Sequence, residues 1–236
     1  MAERVVSEPQ RRRRRPTRKG AVLSHALIVE TALALVDEHG ADALSVRRLG
    51  AALGADPTSI YRYFRNTDDL LLAVADELLG HAQEGWAETG DWRADVRDLS
   101  LRLHAAYAKH PRAATLAGHR TTGRAHEIQA VETLLRLLRA AGFPDDDAVR
   151  YYHALADQTL AFAVQHAAAL SLPPDALAAD REVWQGTYAK LAPETHPNIA
   201  ATMPLLDAEM QHGAFPFALD LLLDAIAARL PAAASD

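Results

Sequence analysis

The chain has 236 residues, a net charge of −6, no cysteine, and 49% hydrophobic but only 6% aromatic residues. Without cysteine, disulfides and thiolate metal sites are excluded; no apolar run approaches the ~18 residues of a membrane span, and none follows the basic N-terminus closely enough for a signal peptide, so a cytoplasmic chain is expected. Ala and Leu dominate, both enter helices at little cost, and neither strand alternation nor a repeat period is present, so the expected fold class is all-α.

Residues 1–20 lack apolar periodicity. Arg11 to Arg15 with Arg18 and Lys19 place seven positive charges among nine residues. Such a block repels itself and reads as a disordered basic arm. It can follow a nucleic-acid backbone or enter a minor groove, or be only a solvated tail. The charge is uneven along the chain: residues 1–72 carry +3 and residues 73–236 carry −9. A basic end on an acidic body is expected when one end meets phosphate.

Leu23 to His39 reads as the first helix, with Leu27 or Ile28, Val29, Ala32, Leu33, Leu35 and Val36 inward and Gly40 as its stop. Ser45 is a good N-cap for a second helix, on which Val46, Leu49 and Leu53 share a face. Gly54 suits the left-handed position after it. Asp56 caps a third helix, with Pro57 at its first position and Ile60 and Phe64 inward. Asn66 or Thr67 caps the next, with Asp68 and Asp69 in its first turn. Two short helices joined by a tight turn form a helix-turn-helix pattern. The outward positions Pro57, Thr58, Ser59, Tyr61, Arg62 and Tyr63 are hydroxyl-rich, basic and aromatic, which suits phosphates and base edges. Thr58 and Arg62 are the candidates for base edges, and Pro57 and Tyr61 for a thymine methyl or sugar. Ser59, Tyr63 and Thr67 are candidates for phosphates. Arg47 and Arg48 stand on the exposed side of the second helix.

The string A-A-L-G-A-D-P-T-S-I-Y-R-Y-F, Ala51 to Phe64, resembles the signature of the TetR family of bacterial transcriptional regulators, and Ala26 to Val74 is similar to that family's N-terminal domain. The resemblance implies a three-helix helix-turn-helix DNA-binding domain at residues 21–67, then a larger helical effector-binding and dimerisation domain at 68–236. It implies a repressor released from a palindromic operator by a small-molecule effector, and DNA contact by Arg47. Many family members carry a lysine where this chain has Thr67. Asp68 and Asp69 would oppose a phosphate there, and Arg65 is placed to compensate.

The fourth helix runs from Asp68 toward Gly85 on Leu70, Leu71, Val74, Leu78 and Leu79. Asp91 to His110, Pro111 to Gly118, and His126 to Ala141 follow, the last amphipathic on Ile128, Val131, Leu134, Leu135 and Leu138. A long helix is expected over Asp145 to Leu170, another over Asp175 to Leu191, loop or a short helix over Thr195 to Pro204, and a last helix over Ala214 to Leu230 with Phe217, Leu221, Leu222 and Ile226 inward. The family resemblance implies that helices 145–170 and 214–230 pair with their copies in a homodimer.

His104, Tyr107, His119, Arg120, Tyr152, His153, Gln158, Phe162, Gln165, His166 and Trp184 interrupt the inner faces of the acidic part. A mostly apolar cavity with a few convergent polar groups is the usual small-molecule site, so these are the effector candidates. Eleven histidines include no i, i+4 pair and no His-Glu-x-x-His, so no metal or cofactor is expected. No nucleophile motif or phosphate-cradling glycine loop points to an enzyme. Two alternatives stay open: a helical small-molecule-binding protein or enzyme in which the N-terminal helices are scaffold only, and a basic-tailed protein that coats DNA without sequence preference.

Overall fold

Four polar side chains open the first four α-helices of the computed structural model, which describes residues 22–230. The basic arm at 1–20 lies outside the described residues. Ser24 accepts the Leu27 N–H at 3.2 Å and starts α1, His25–His39. This cap places the start two residues later than the apolar pattern suggests. Ser45 accepts the Arg48 N–H at 3.3 Å and starts α2, Val46–Leu53. Gly54 then turns the chain at φ 62°, a left-handed value that a side chain resists. Asp56 starts α3, Pro57–Ile60. Asn66 accepts the Asp69 N–H at 2.8 Å and starts α4, Thr67–Gln83, while the Asp69 carboxylate accepts the Arg65 N–H at 2.8 Å. This reciprocal pair resembles a capping box.

The body follows as α5 (Trp92–Lys109), α6 (Pro111–Ala117), α7 (Ala125–Ala140), α8 (Asp145–Leu170), α9 (Pro174–Gly186), α10 (Pro197–His212) and α11 (Phe215–Ala227). The fold is all-α, with an N-terminal helix-turn-helix domain and a larger helical body. No described helix is long and apolar enough to cross a membrane.

Two cores hold it together. The first joins α1–α4, through Ile28, Val36, Leu49, Ile60, Phe64, Leu70 and Leu78, to Tyr107 of α5, Ala113 and Ala114 of α6, and Ala163 and Ala167 of α8. The alanines keep these helices close, so head and body share one apolar interior. The second core joins Val96 and Leu99 of α5, Leu137 and Leu138 of α7, Leu155 of α8, and Phe215, Leu219, Leu223 and Ile226 of α11. Arg97 grips Asp220 at 2.7 and 3.2 Å, tying α5 to α11. That hydrogen bond holds the Asp220 carboxyl below the usual carboxylate range.

Three local expectations are corrected. Ile128 is 60% exposed, and α7 buries Thr133 and Leu137 beside the expected Leu138. On α11, Phe217 (68% exposed) and Leu221 (55%) point outward. That helix is apolar around most of its girth, so periodicity does not say which stripe meets the body. The stretch 195–204 is neither loop nor a short helix but lies mostly within α10, 16 residues long with Pro204 inside it. A proline removes one helical N–H, yet the helix continues past it. α9 buries none of its residues.

Candidate DNA-reading helix and effector cavity

The third helix has only four residues, and its local hydrogen bonds define it. Asp56 Oδ1 accepts the Thr58 N–H at 2.8 Å and the Thr58 hydroxyl at 2.7 Å; Ser59 Oγ donates to the Asp56 carbonyl at 2.6 Å. The Thr58 hydroxyl, and then its N–H, hold the Asp56 carboxyl below its ordinary value. Tyr61 is 54% exposed, and Thr58, Arg62 and Thr67 are exposed, with Pro57 and Ser59 half-buried. Among the described residues the guanidinium groups of Arg47, Arg48 and Arg62 have no ion pair or hydrogen bond, and all three residues are exposed. Tyr63 stands apart from this group. It packs on the first core and donates its hydroxyl to the Leu23 carbonyl at 2.7 Å. Its one proton is therefore committed to anchoring the segment before α1.

The start of α4 is not bare carboxylate. Arg120 holds Asp68, and Arg124 holds Asp69 at 2.5 Å. Deeper along α4, Asp76 accepts N–H groups of His126 at 3.3 Å and Glu127 at 2.9 Å and the Thr122 hydroxyl at 3.1 Å. The Gln83 amide reaches the His126 carbonyl at 3.0 Å. The helix that follows the reading head is thus pinned along its length to the α6–α7 loop and the first turn of α7.

Behind this clamp lies a cavity of about 410 Å3 between α4, α5, α7 and α8. Leu79, Trp86, Leu99, Leu103, Leu134, Leu155 and Leu160 make most of its wall, with Gln83, Ser100, Tyr107, Arg120, Glu127, Gln129, Thr133, Tyr152 and Thr159 as its polar lining. Tyr107 donates its hydroxyl to the Gly118 carbonyl at 2.9 Å. Burial pushes its phenol well above the ordinary value, and burial raises that of Tyr152 as well. The Thr159 hydroxyl and the Trp86 indole N–H are buried without a partner among the described residues.

Of the effector candidates, Tyr107 and Arg120 line this cavity, as does Tyr152; the others lie elsewhere. His104 stacks on His166 and on Phe215, ring centroids 4.8 Å apart in each case. His119, His153 and Gln165 are exposed. Phe162 packs against Phe215 in the second core. Trp184 stacks on Tyr188. The Gln158 amide donates to the Ala218 carbonyl at 3.1 Å. Rotation explains some of these and position along the helix the others. The cavity stripe of α8 is Tyr152, Leu155, Ala156, Thr159 and Leu160, at i, i+3, i+4, i+7 and i+8; residues 153 and 165 fall on other flanks, while Phe162 and His166 lie near the same face but beyond its cavity-lining end. That stripe was the available signal for Thr159. Gln83, Trp86 and Glu127 had none beyond polarity. No group of three metal-ligating side chains occurs among the described residues.

Comparison with known proteins follows this division. Residues 28–74 match the family model for bacterial regulatory proteins of the tetR family, and residues 84–230 match that for the tetracyclin repressor-like C-terminal domain. The chain is 31% identical over 139 residues to the HTH-type transcriptional repressor DrrR1 of Streptomyces coeruleorubidus, covering 58% of this chain and 51% of that one. It spans about half the length of that relative and of a similar regulator from Saccharopolyspora erythraea. A tetracycline repressor of class A from Escherichia coli is 26% identical over 86% of this chain and 89% of its own. Among solved structures, a possible TetR family regulator from Streptomyces coelicolor A3(2) superposes with a TM-score of 0.70 at 32% identity, over 87% of this chain and 99% of that one. ActR of Streptomyces coelicolor in complex with actinorhodin superposes with a TM-score of 0.74 at 26% identity, over 90% and 99%. With both its head and its body matched, the chain belongs to the TetR family of bacterial regulatory proteins.

Proposed function

We propose that the chain is a cytoplasmic, homodimeric transcriptional repressor, not an enzyme, that binds a palindromic DNA operator and leaves it when a small molecule fills the cavity. The observation that carries this reading is the pairing of two features across α4. On one side stands the capped α3 with Thr58 exposed on it and Tyr61 and Arg62 exposed just after it, and Arg47 and Arg48 beside them have no side-chain ion pair or hydrogen bond among the described residues. On the other is an apolar cavity whose wall includes α4. Relatives named as repressors, and a solved relative holding actinorhodin, support both halves.

Residues 21–67 serve as the reading head and 68–236 as the effector and dimerisation part, with 1–20 as a basic arm along the DNA. Arg62 and Thr58 read base edges, Tyr61 and Pro57 pack on methyl or sugar, and Arg47, Arg48, Ser59 and Thr67 hold phosphates. One short helix covers too few base pairs for a specific site, so two copies spaced by roughly one DNA turn, ~34–36 Å or somewhat more, are needed. The outward Phe217 and Leu221 of α11, with the exposed Val149 of α8, supply the apolar face for that pairing. The effector works by binding more tightly to the arrangement that cannot span the two half-sites.

The test is selection of bound duplexes from a random DNA pool, with affinity then measured at two salt concentrations. Recovery of a palindrome bound far more tightly than random DNA is expected. Steeply salt-dependent binding to every sequence, with none enriched, would overturn the reading.

A further inference from the structure

Arg120 lines the cavity and at the same time holds Asp68 in the first turn of α4, with Nη1 3.0 Å from Oδ1 and Nη2 3.4 Å from Oδ2. We propose that the cavity takes a ring compound bearing an acidic group, that this acid takes Arg120 from Asp68, and that the bared Asp68 carboxylate weakens DNA binding. Only the last step rests on the reading of the chain as a DNA-binding regulator.

The ligand class follows from what the wall offers. Its surface is mostly aliphatic and aromatic, and only Arg120 and Glu127 among the lining residues carry a full charge at neutral pH. Glu127 is already engaged: one of its oxygens accepts the Thr122 N–H at 3.0 Å, the Thr122 hydroxyl at 3.3 Å and the Gly123 N–H at 2.5 Å. Arg120 has five N–H donors and uses them on a single carboxylate whose side chain is 59% exposed. A pair that open to water is screened and weakly held. An acid approaching from the apolar side meets the same guanidinium at lower dielectric, where opposite charges attract more strongly. The unpartnered Thr159 hydroxyl and Trp86 N–H then serve oxygens on the rings.

The consequence for DNA is one of charge. Asp68 lies six residues beyond Arg62 and just after the Asn66 cap of α4. Paired, it is neutralised. Bared, it sets a negative charge beside the surface that meets phosphates. Linkage then requires the acid and the DNA to weaken one another by the same factor.

The experiment titrates the full chain with anthracene-2-carboxylate and with its neutral carboxamide, following probe fluorescence. The acid is expected to bind about tenfold more tightly than the amide, one decade in Kd. Arg120→Gln should bring the two within about twofold, since its amide offers no charge. Asp68→Asn should tighten the acid, because the competitor is gone; this variant keeps Arg120 in place and guards against a folding defect in the first. Equal binding of acid and amide, no binding of either, or a preference that survives Arg120→Gln overturns the proposal. On a selected duplex, the acid should lower the affinity of the unmodified chain and not that of Asp68→Asn; equal release of both overturns the charge step. If no duplex is ever selected, the regulator reading fails while the probe titrations still decide the acid site.

Discussion

The carboxylate of Asp76, in the middle of α4, accepts the backbone N–H of Glu127 at 2.9 Å and so caps α7, a helix to which it does not belong. The N-cap residue of α7, Arg124, makes no side-chain cap bond of its own. The N-terminal N–H groups of a helix need partners, and here a neighbouring helix supplies one. Because Glu127 also lines the cavity, this contact couples the position of α4 to the cavity wall.

Replacing Asp76 with Ala removes acceptors from His126, Glu127 and the Thr122 hydroxyl together. Asp76 is 7% exposed, so water replaces those acceptors poorly. A loss of about 2–3 kcal/mol is expected, read as a lower urea midpoint with an unchanged slope. Asp76→Asn, which keeps one acceptor oxygen, should lose less.

Gly118→Ala tests the packing behind the cavity. A Cβ there would stand 2.5 Å from the Tyr107 ring and 2.6 Å from the Ala114 carbonyl. The ring is buried and its hydroxyl is tied to Gly118 itself, so it has nowhere to go. Destabilisation of about 1–3 kcal/mol is expected from overpacking, with altered ligand affinity in the same variant. Thermal unfolding with and without a bound probe measures both.

How far the sequence could be read follows from how local each signal is. The caps of the head depend on residues within three or four positions, so Ser45, Gly54, Asp56, Pro57 and Asn66 were legible one by one. The Asp68–Arg120, Asp69–Arg124 and Asp76–Glu127 contacts span about fifty residues or more, and nothing in periodicity announces them. This is why Asp68 and Asp69 read as opposing a phosphate, when each already has an arginine. The cavity was half legible for a similar reason. Tyr107 and Arg120 follow from their chemistry, but the histidines at 104, 153 and 166 rest on polarity alone: the rotation of α8 turns His153 to solvent, and His104 of α5 and His166, farther along α8, stack on each other outside the cavity. Phe217 and Leu221 read as core because an apolar stripe looks the same whether it faces its own chain or solvent.

Charge on the outward stripe of α11 should disrupt the pairing of two copies. Phe217→Asp combined with Leu221→Asp leaves the buried stripe of Phe215, Leu219 and Leu223 intact. Sedimentation should show a folded monomer in place of a dimer. DNA affinity should fall at least about 100-fold, because the second half-site no longer arrives with the first. An unchanged sedimentation profile would place the interface elsewhere.

Acid should destabilise the fold through two histidines. Desolvation, followed by the nearby His110, lowers His81 below its ordinary 6.5; desolvation and then His166 lower His104 in the same way. The folded chain therefore refuses protons that the unfolded chain accepts. Their contribution is full above about pH 6.5 and declines as pH falls through the lowered values. The urea midpoint should drop between pH 7.5 and 5.5, and His81→Asn with His104→Asn should flatten that drop. A midpoint that rises on acidification would contradict the sign.

That α3 and the turn after it read bases is tested most directly by measuring Arg62→Ala and the unmodified chain against every single-base variant of the selected duplex. An Arg bound to a guanine edge contributes roughly 1–3 kcal/mol of discrimination. Arg62→Ala is expected to lose discrimination at one position, mirrored in the two half-sites, and to keep it elsewhere. A uniform loss across all variants would assign Arg62 to the phosphate backbone and contradict base reading by the turn after α3.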